Sequence, residues 1–231
     1  MTKISRKRKD INRLINYNSL YKIDDAIEFL KKFSSKKFEE SVDLSINLNI
    51  DIKNPEHFIK SSIYMPNGLG KIFRVAVFAQ GDKLIEAENA GADLSGFEDL
   101  FKEIKNGNLN FDIVISTPDS MNLVKRLGKI LGPRGLMPNI KMGTITNDVS
   151  KAVLNAKSGQ VYYKTDKYGI IHCKIGKITF SCKKLLENIN VLIFDLKKNK
   201  PISVKGNFFK KMFLSTTMGP SLSIDISTLI K

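Results

Sequence analysis

Cysteine is scarce in this chain: Cys173 and Cys182 are the only two among 231 residues. Two thiols cannot build a disulfide framework. Neither sits in a Cys-x-x-Cys pair, and together with His172 they leave a tetrahedral zinc ion short of ligands. A reducing compartment and no resident metal are therefore expected. No run approaches the roughly 18 consecutive apolar residues of a membrane span, and the basic start MTKISRKRKDINRL lacks the apolar stretch of a secretory signal. A cytoplasmic location and no membrane partner follow as expectations. Arginine is sparse, confined to Arg6, Arg8, Arg13, Arg74, Arg126 and Arg134, so lysine carries most of the positive charge. Acid is in the minority too: 23 Asp and Glu against 38 Lys and Arg give a net charge of +15. An excess of that size favours a polyanionic partner, nucleic acid ahead of an anionic membrane surface.

The chain also lacks the constellations of catalysis. There are no paired carboxylates and no nucleophile with a base in reach. His172 stands alone, because its neighbour Cys173 points to the opposite face of a strand. A phosphate loop needs a glycine, four residues, then Gly-Lys-Ser/Thr. Gly70-Lys71 fails twice, with Ile72 in the hydroxyl position and Met65 where the first glycine belongs. No catalytic residue, no cofactor and no enzymatic activity are expected.

Two patterns of secondary structure alternate along the chain. The basic run Ser5 to Asp10 carries Arg6, Lys7, Arg8 and Lys9, side chains suited to phosphate contacts. Asp24 is placed to cap a helix running through Leu30. Val42, Leu44, Ile46, Leu48, Ile50 and Ile52 alternate with polar residues, the mark of a half-buried strand. Ile59, Ile63 and Met65 extend the sheet to a turn at Pro66-Asn67-Gly68. The pattern then changes. Ile72 to Ala79 reads as a strand buried on both faces, followed by helices over Leu84 to Ala90 and Phe97 to Lys105. A second buried strand spans Phe111 to Ser116, and Thr117-Pro118-Asp119 starts a further helix, so a small parallel α/β unit is implied. Asp148 to Lys157 reads as a helix. Val161 to Thr165 and Gly169 to Ile175 read as a hairpin, Lys183 to Lys198 as a helix, and strands close the chain. The expected fold is two-domain α/β. A discontinuous α+β first domain (residues 1–66 and 160–231) holds an inserted βαβ-type α/β second domain (67–159), with hinge positions at Gly68, Gly70, Ser158 and Gly159.

The densest signal is Leu127 to Thr146, LGKILGPRGLMPNIKMGTIT. Gly128, Gly132, Gly135 and Gly143 with Pro133 and Pro138 shape it. Lys129, Arg134 and Lys141 make it basic, with no acid to offset them. It reads as an exposed, shaped basic loop rather than a core element. This segment closely resembles the LGKxLGPRGLMPNPKxGTVT signature of the L-one family of bacterial large-subunit ribosomal proteins, the proteins of the mobile stalk beside the tRNA exit site. Four further blocks resemble the family in order: FEESVDLSINLNID from Phe38, KIFRVAVFAQGDKLIEAENAGAD from Lys71, GQVYYKTDKYGIIHCKIGKITF from Gly159 and STTMGPSLSIDI from Ser215. Departures are local. Ile140 and Ile52 stand where proline is usual, Lys53 and Lys164 where arginine is usual, Lys60-Ser61 for Arg-Gly, and Asn67-Gly68-Leu69-Gly70 for His-Gly-Thr-Gly.

The resemblance implies an rRNA-binding surface on the first domain. It comprises Lys37, Phe38, Glu40 and Ser41 ahead of the long strand, Lys164, Asp166, Lys167 and His172 around the return hairpin, and Ser215, Thr216, Thr217, Met218 and Gly219 near the C-terminus. For Lys129, Arg134 and Lys141 the resemblance assigns no role: they either join the basic arm as tRNA or rRNA phosphate contacts or serve only the second domain's fold. The implied partners are the stalk helices of large-subunit rRNA, exit-site tRNA and the protein's own mRNA, in a protein that is monomeric outside the ribosome. The competing reading is a free RNA-binding translational regulator using the same surface without stable ribosome incorporation.

Overall fold

The computed structural model describes residues 11, 13–16, 19–34, 37–51, 54, 57–204 and 206–228, excepting the side chains of Lys141 and Thr228. Arg6, Lys7, Arg8, Lys9 and Ile52 lie outside the described residues. In chain order the elements are α1 (Ile23–Lys32), β1 (Ser41–Leu48), β2 (Lys60–Tyr64), β3 (Val75–Phe78), α2 (Asp82–Asn89), β4 (Leu94–Gly96), α3 (Glu98–Lys105), β5 (Ile113–Ser116), α4 (Met121–Arg126), α5 (Gly128–Leu131), α6 (Val149–Lys157), β6 (Gln160–Lys164), β7 (Ile170–Lys177), α7 (Cys182–Lys198), β8 (Phe209–Thr216) and β9 (Ser221–Ile224). They form a mixed α/β architecture with a four-stranded sheet ordered β7-β1-β8-β9, a two-stranded sheet of β2 and β6, and a three-stranded sheet ordered β4-β3-β5. The chain divides into two compact units: residues 1–59, 65–70 and 163–231, and residues 60–64 and 71–162.

In the first unit every pairing of the four-stranded sheet is antiparallel. The period-two sequence of β1 sends Val42, Leu44, Ile46 and Leu48 to one face, all at most 1% exposed. Ile171 and Cys173 of β7, Met212 and Leu214 of β8, and Leu222 and Ile224 of β9 share that buried face. Helices α1 and α7 cover it, presenting Ile23, Ala26, Ile27 and Leu30, and Leu185, Ile189, Leu192, Ile193 and Leu196. Burial pushes the Cys173 thiol up to about 12. The strand ends at Leu48, short of Ile50: the Leu48 amide turns to the Gly169 carbonyl and the Asn49 amide to that of Phe208. Asp24 sits in the first turn of α1, where its charge suits the helix dipole, but Lys22 occupies the cap position. Ser181 caps α7 by accepting from the Lys184 amide.

In the second unit β3 pairs in parallel with both β4 and β5. Val75 and Val77 face a core with Ala87 of α2 and Val149, Val153 and Ala156 of α6. Ala76 and Phe78 face a second core with Leu100 and Ile104 of α3, Val124 of α4, and Leu127 and Leu131. Asp148 caps α6 by accepting from the Lys151 amide.

Four further expectations about the fold need correction. Val161–Thr165 and Gly169–Ile175 do not form a hairpin ladder. Strand β6 pairs with β2 and β7 with β1, and one bridge, Thr165 to Ile171, links the two arms. Ile72, expected in a buried strand, is 85% exposed, and β3 starts at Val75. The helix after Thr117 begins only at Met121, because the Thr117 and Ser120 hydroxyls bond each other and the Ser120 hydroxyl bonds the Phe78 carbonyl. The segment Leu127–Thr146 is not wholly an exposed loop. Gly128–Leu131 is a helical turn, and Leu127, Leu131 and Thr144 are buried, the last holding the Asn139 amide at 2.7 Å.

Candidate nucleic-acid interface

The turn leaving β8 is pinned to the start of β1. The Ser41 amide donates to the Thr217 hydroxyl at 3.1 Å, and the Thr217 amide returns a bond to the Ser41 carbonyl at 3.2 Å. The Met218 amide donates to the Glu40 carboxylate at 3.3 Å, and the Gly219 amide closes the turn on the Thr216 carbonyl. Thr217 and Met218 project from this frame, Met218 being 65% exposed. Lys37 is exposed, and Phe38 is 48% exposed rather than taken into the core. An aromatic and a thioether held in water beside lysine suit ribose and base faces.

Two of the expected contact residues do not reach the surface. Glu40 is 0% exposed and Thr216 is 4% exposed. Strand parity explains both, since each continues the inward register of Val42 and Leu214. They shape the turn from beneath. The Thr216 hydroxyl has no hydrogen-bond partner, and a methyl group at Gly219 would overlap it.

At the other end of the sheet, Asp166 organises the entry to β7. Its Oδ1 accepts from the Tyr168 and Ile170 amides, both at 2.8 Å, and Gly169 completes the turn at φ 75°. Burial works to raise the Asp166 pKa, but the amide bonds and the His172 charge outweigh it and hold the carboxyl below its ordinary range. His172 lies on the outer face opposite Ser45, with Nδ1 3.0 Å from the Ser45 hydroxyl and Nε2 3.8 Å from Asp166 Oδ2. Serine, histidine and aspartate in line are the side chains of a nucleophilic triad. Here Asp166 is occupied by two amides, and the His172 side chain is 63% exposed on an open sheet. The arrangement orients a ring toward solvent. Lys164 and Lys167 are exposed nearby in sequence.

The outer face of the sheet carries residues that motif reasoning passed over. Ser45 lies between His172 and Phe213, and Asp43 between Lys174 and Ser215. Burial works to raise the Asp43 pKa above its ordinary value, with Lys174 opposing it. Asn47 lies between Ile170 and Lys211. The signal for these residues was in the sequence: if Leu44 and Ile46 point inward, Asp43, Ser45 and Asn47 point outward.

In the second unit Lys129 and Arg134 are exposed, as is Ile140 at 76%. Gly135 and Gly143 adopt φ of 73° and 70°. Of the hinge positions, Gly68, Gly70 and Gly159 have positive φ, and Ser158 ends α6. The Asn67–Gly68 backbone is tied to α7. The Asn67 amide donates to Asn188 Oδ1, and Asn188 Nδ2 donates to the carbonyls of Gly68 and Ile175. Among the described residues no cluster of three metal-ligating side chains occurs, and no helix is long and apolar enough to cross a membrane.

Comparison with known proteins places the chain among ribosomal relatives. Residues 30–220 match the model of the Ribosomal protein L1p/L10e family. The chain is 56% identical over 229 residues to the large ribosomal subunit protein uL1 of Legionella pneumophila, covering 99% of each chain. It is 51% identical over 230 residues to that of Alcanivorax borkumensis, covering 100% of each, and 51% identical over 229 residues to that of Ruthia magnifica, covering 99% of each.

Proposed function

The chain belongs to the Ribosomal protein L1p/L10e family, and on that premise we propose that it binds the stalk rRNA of the large subunit through the surface around Thr217 and Met218. Its class is that of a structural, non-enzymatic large-subunit protein of the bacterial cytoplasmic ribosome. In this reading residues 1–66 and 160–231 form the rRNA-binding domain and residues 67–159 an inserted second domain. The bound protein travels with the stalk and assists release of deacylated tRNA from the exit site. The same surface binds a mimic of the rRNA site in the protein's own mRNA and represses its translation.

The pinned turn carries the proposal. Four hydrogen bonds donated by backbone amides, two to carbonyls and two to side-chain oxygens, fix Thr217 and Met218 before any ligand arrives, so little ordering free energy is lost on binding. Phe38 and Met218 supply apolar contact, Thr217 and Ser41 supply polar contact, and Lys37, Lys164 and Lys167 meet phosphates as point charges. Recognition is positional, by shape, ribose and phosphate, with little reading of base edges.

The test compares affinity for a stalk rRNA fragment with affinity for an unrelated structured RNA, each at two salt concentrations. The specific ratio should survive the higher salt. Thr217→Val with Met218→Ala should lose about 1–3 kcal/mol of specific affinity per good contact while the global fold stays intact, the valine also releasing the Ser41 amide from the turn. An unchanged ratio in the double variant would overturn this placement of the site. Stoichiometric co-sedimentation with the large subunit at moderate salt separates a ribosomal component from a free regulator.

A further inference from the structure

At the end of β8 away from the Thr217 turn, the outer sheet face opens into a cleft of about 580 Å³ lined by Ser19, Leu20, Lys210, Lys211, Phe213 and Ser223, with Asp225 at its margin. Lys211 and Thr216 are five steps apart along the strand, roughly 17 Å, so this is a different place from the turn.

Its construction starts with a register fault. Asn47 pairs with Lys211 but Leu48 pairs with Phe209, leaving Lys210 as the extra residue of a bulge. A bulge breaks the in-out alternation of a strand. Lys210 and Lys211 are consequently both exposed, where regular pleating would send one of them inward. Next along the strand, outward-facing Phe213 lies between Ser45 and Ser223 and presents a partly exposed ring. Across the opening, Leu20 is 66% exposed, a large apolar side chain held in water. A second cleft, of about 540 Å³, shares Ile226 with the first and adds Lys197 and Lys200. Four lysines and one acid therefore line the two openings. The acid, Asp225, has its Oδ1 engaged by the Ser227 amide and hydroxyl at 3.0 and 2.8 Å.

We propose that the cleft over Phe213 receives one unstacked base of a single-stranded RNA segment, with Lys210 and Lys211 on the flanking phosphates. A flat aromatic wall, an apolar lid and hydroxyls at the rim suit a nucleobase. Cations on one side give the charge complementarity that an uncharged peptide or a lipid tail would leave unused. An aromatic on the open face of a four-stranded antiparallel sheet is a geometry that stacks splayed bases. The inference rests on the RNA-binding reading of this unit and extends its footprint from the pinned turn along β8.

The probe is an eight-nucleotide oligouridylate compared with the same ribose-phosphate chain made abasic, each titrated against the full chain by fluorescence anisotropy. The base-bearing strand should bind about tenfold tighter. Phe213→Ala should erase that difference and Phe213→Tyr retain it. Lys210→Ala with Lys211→Ala should weaken both strands equally and flatten the salt slope. Should Phe213→Ala fail to fold, ultraviolet cross-linking of the unaltered protein gives the answer, with uridine expected on the peptide containing Phe213. Equal binding of the two strands, or cross-links confined to other peptides, overturns the proposal. The Thr217→Val, Met218→Ala protein should keep its preference for the base-bearing strand, so loss of stalk recognition and loss of the base cleft read out separately.

Discussion

At the scale of single residues, the turn after β8 depends on the absence of one methyl group. Gly219 lies over the Thr216 hydroxyl, which is buried without a hydrogen-bond partner. Alanine at 219 forces that hydroxyl or the turn to move. Overpacking of this kind costs about 1–3 kcal/mol, and the shift would reach Thr217 and Met218. Gly219→Ala should therefore lower both the melting temperature and specific RNA affinity. Thr216→Val removes an unsatisfied hydroxyl while keeping the side-chain shape. Thermal unfolding of that variant should be unchanged or slightly higher, with RNA affinity intact. A large loss of affinity in Thr216→Val would instead make the buried hydroxyl a direct participant.

At the scale of elements, local patterns were legible and pairings were not. The alternation of β1, the helices α1 and α7 and the buried run of β3 could all be read directly, because burial imposes a period on the sequence. The sequence presents β6 and β7 as a hairpin, and its turn is real, but the ladder is not. Asp166 and Gly169 do fold the chain back, but β2 and β1 are the better partners, and neither is adjacent in sequence. Strand β4 leaves no mark in the sequence because Leu94-Ser95-Gly96 is too short to carry a pattern. Of the site, the motif blocks were legible by resemblance. Glu40 and Thr216 needed strand parity to be recognised as inward residues. Asn188 belongs to this scale too. Fully buried on α7, it bonds the Asn67 amide and the carbonyls of Gly68 and Ile175. Asn188→Leu should destabilise the protein by several kcal/mol, since each orphaned buried group costs about 1–3 kcal/mol. Chemical denaturation measures it, and a loss below about 1 kcal/mol would mean that water replaces the amide.

At the scale of the whole molecule, the few acids are placed where they act. Burial tends to raise the pKa of Asp93, Asp112 and Asp166, but backbone amides with Lys157, with Lys71 and Arg74, and with His172 respectively bring all three below the ordinary carboxylate value. A carboxyl with a depressed folded-state pKa contributes stability above its unfolded value. That contribution disappears as pH falls through the folded one. Stability should thus hold from neutrality to about pH 4 and decline below it. Circular dichroism against pH tests this, and Asp112→Asn should flatten the acid limb. The strand order β7-β1-β8 has a further consequence, in time rather than in space. The two neighbours of β1 lie more than a hundred residues downstream of it. On a ribosome adding about 5–20 residues each second, the alternating apolar face of β1 emerges roughly ten seconds before its partners exist. Residues 71–162, whose strands and helices are neighbours in sequence, are complete within that interval. The newborn chain therefore carries an unpaired strand past a finished unit, and it is in that interval, before the sheet closes, that a holding chaperone would find its target.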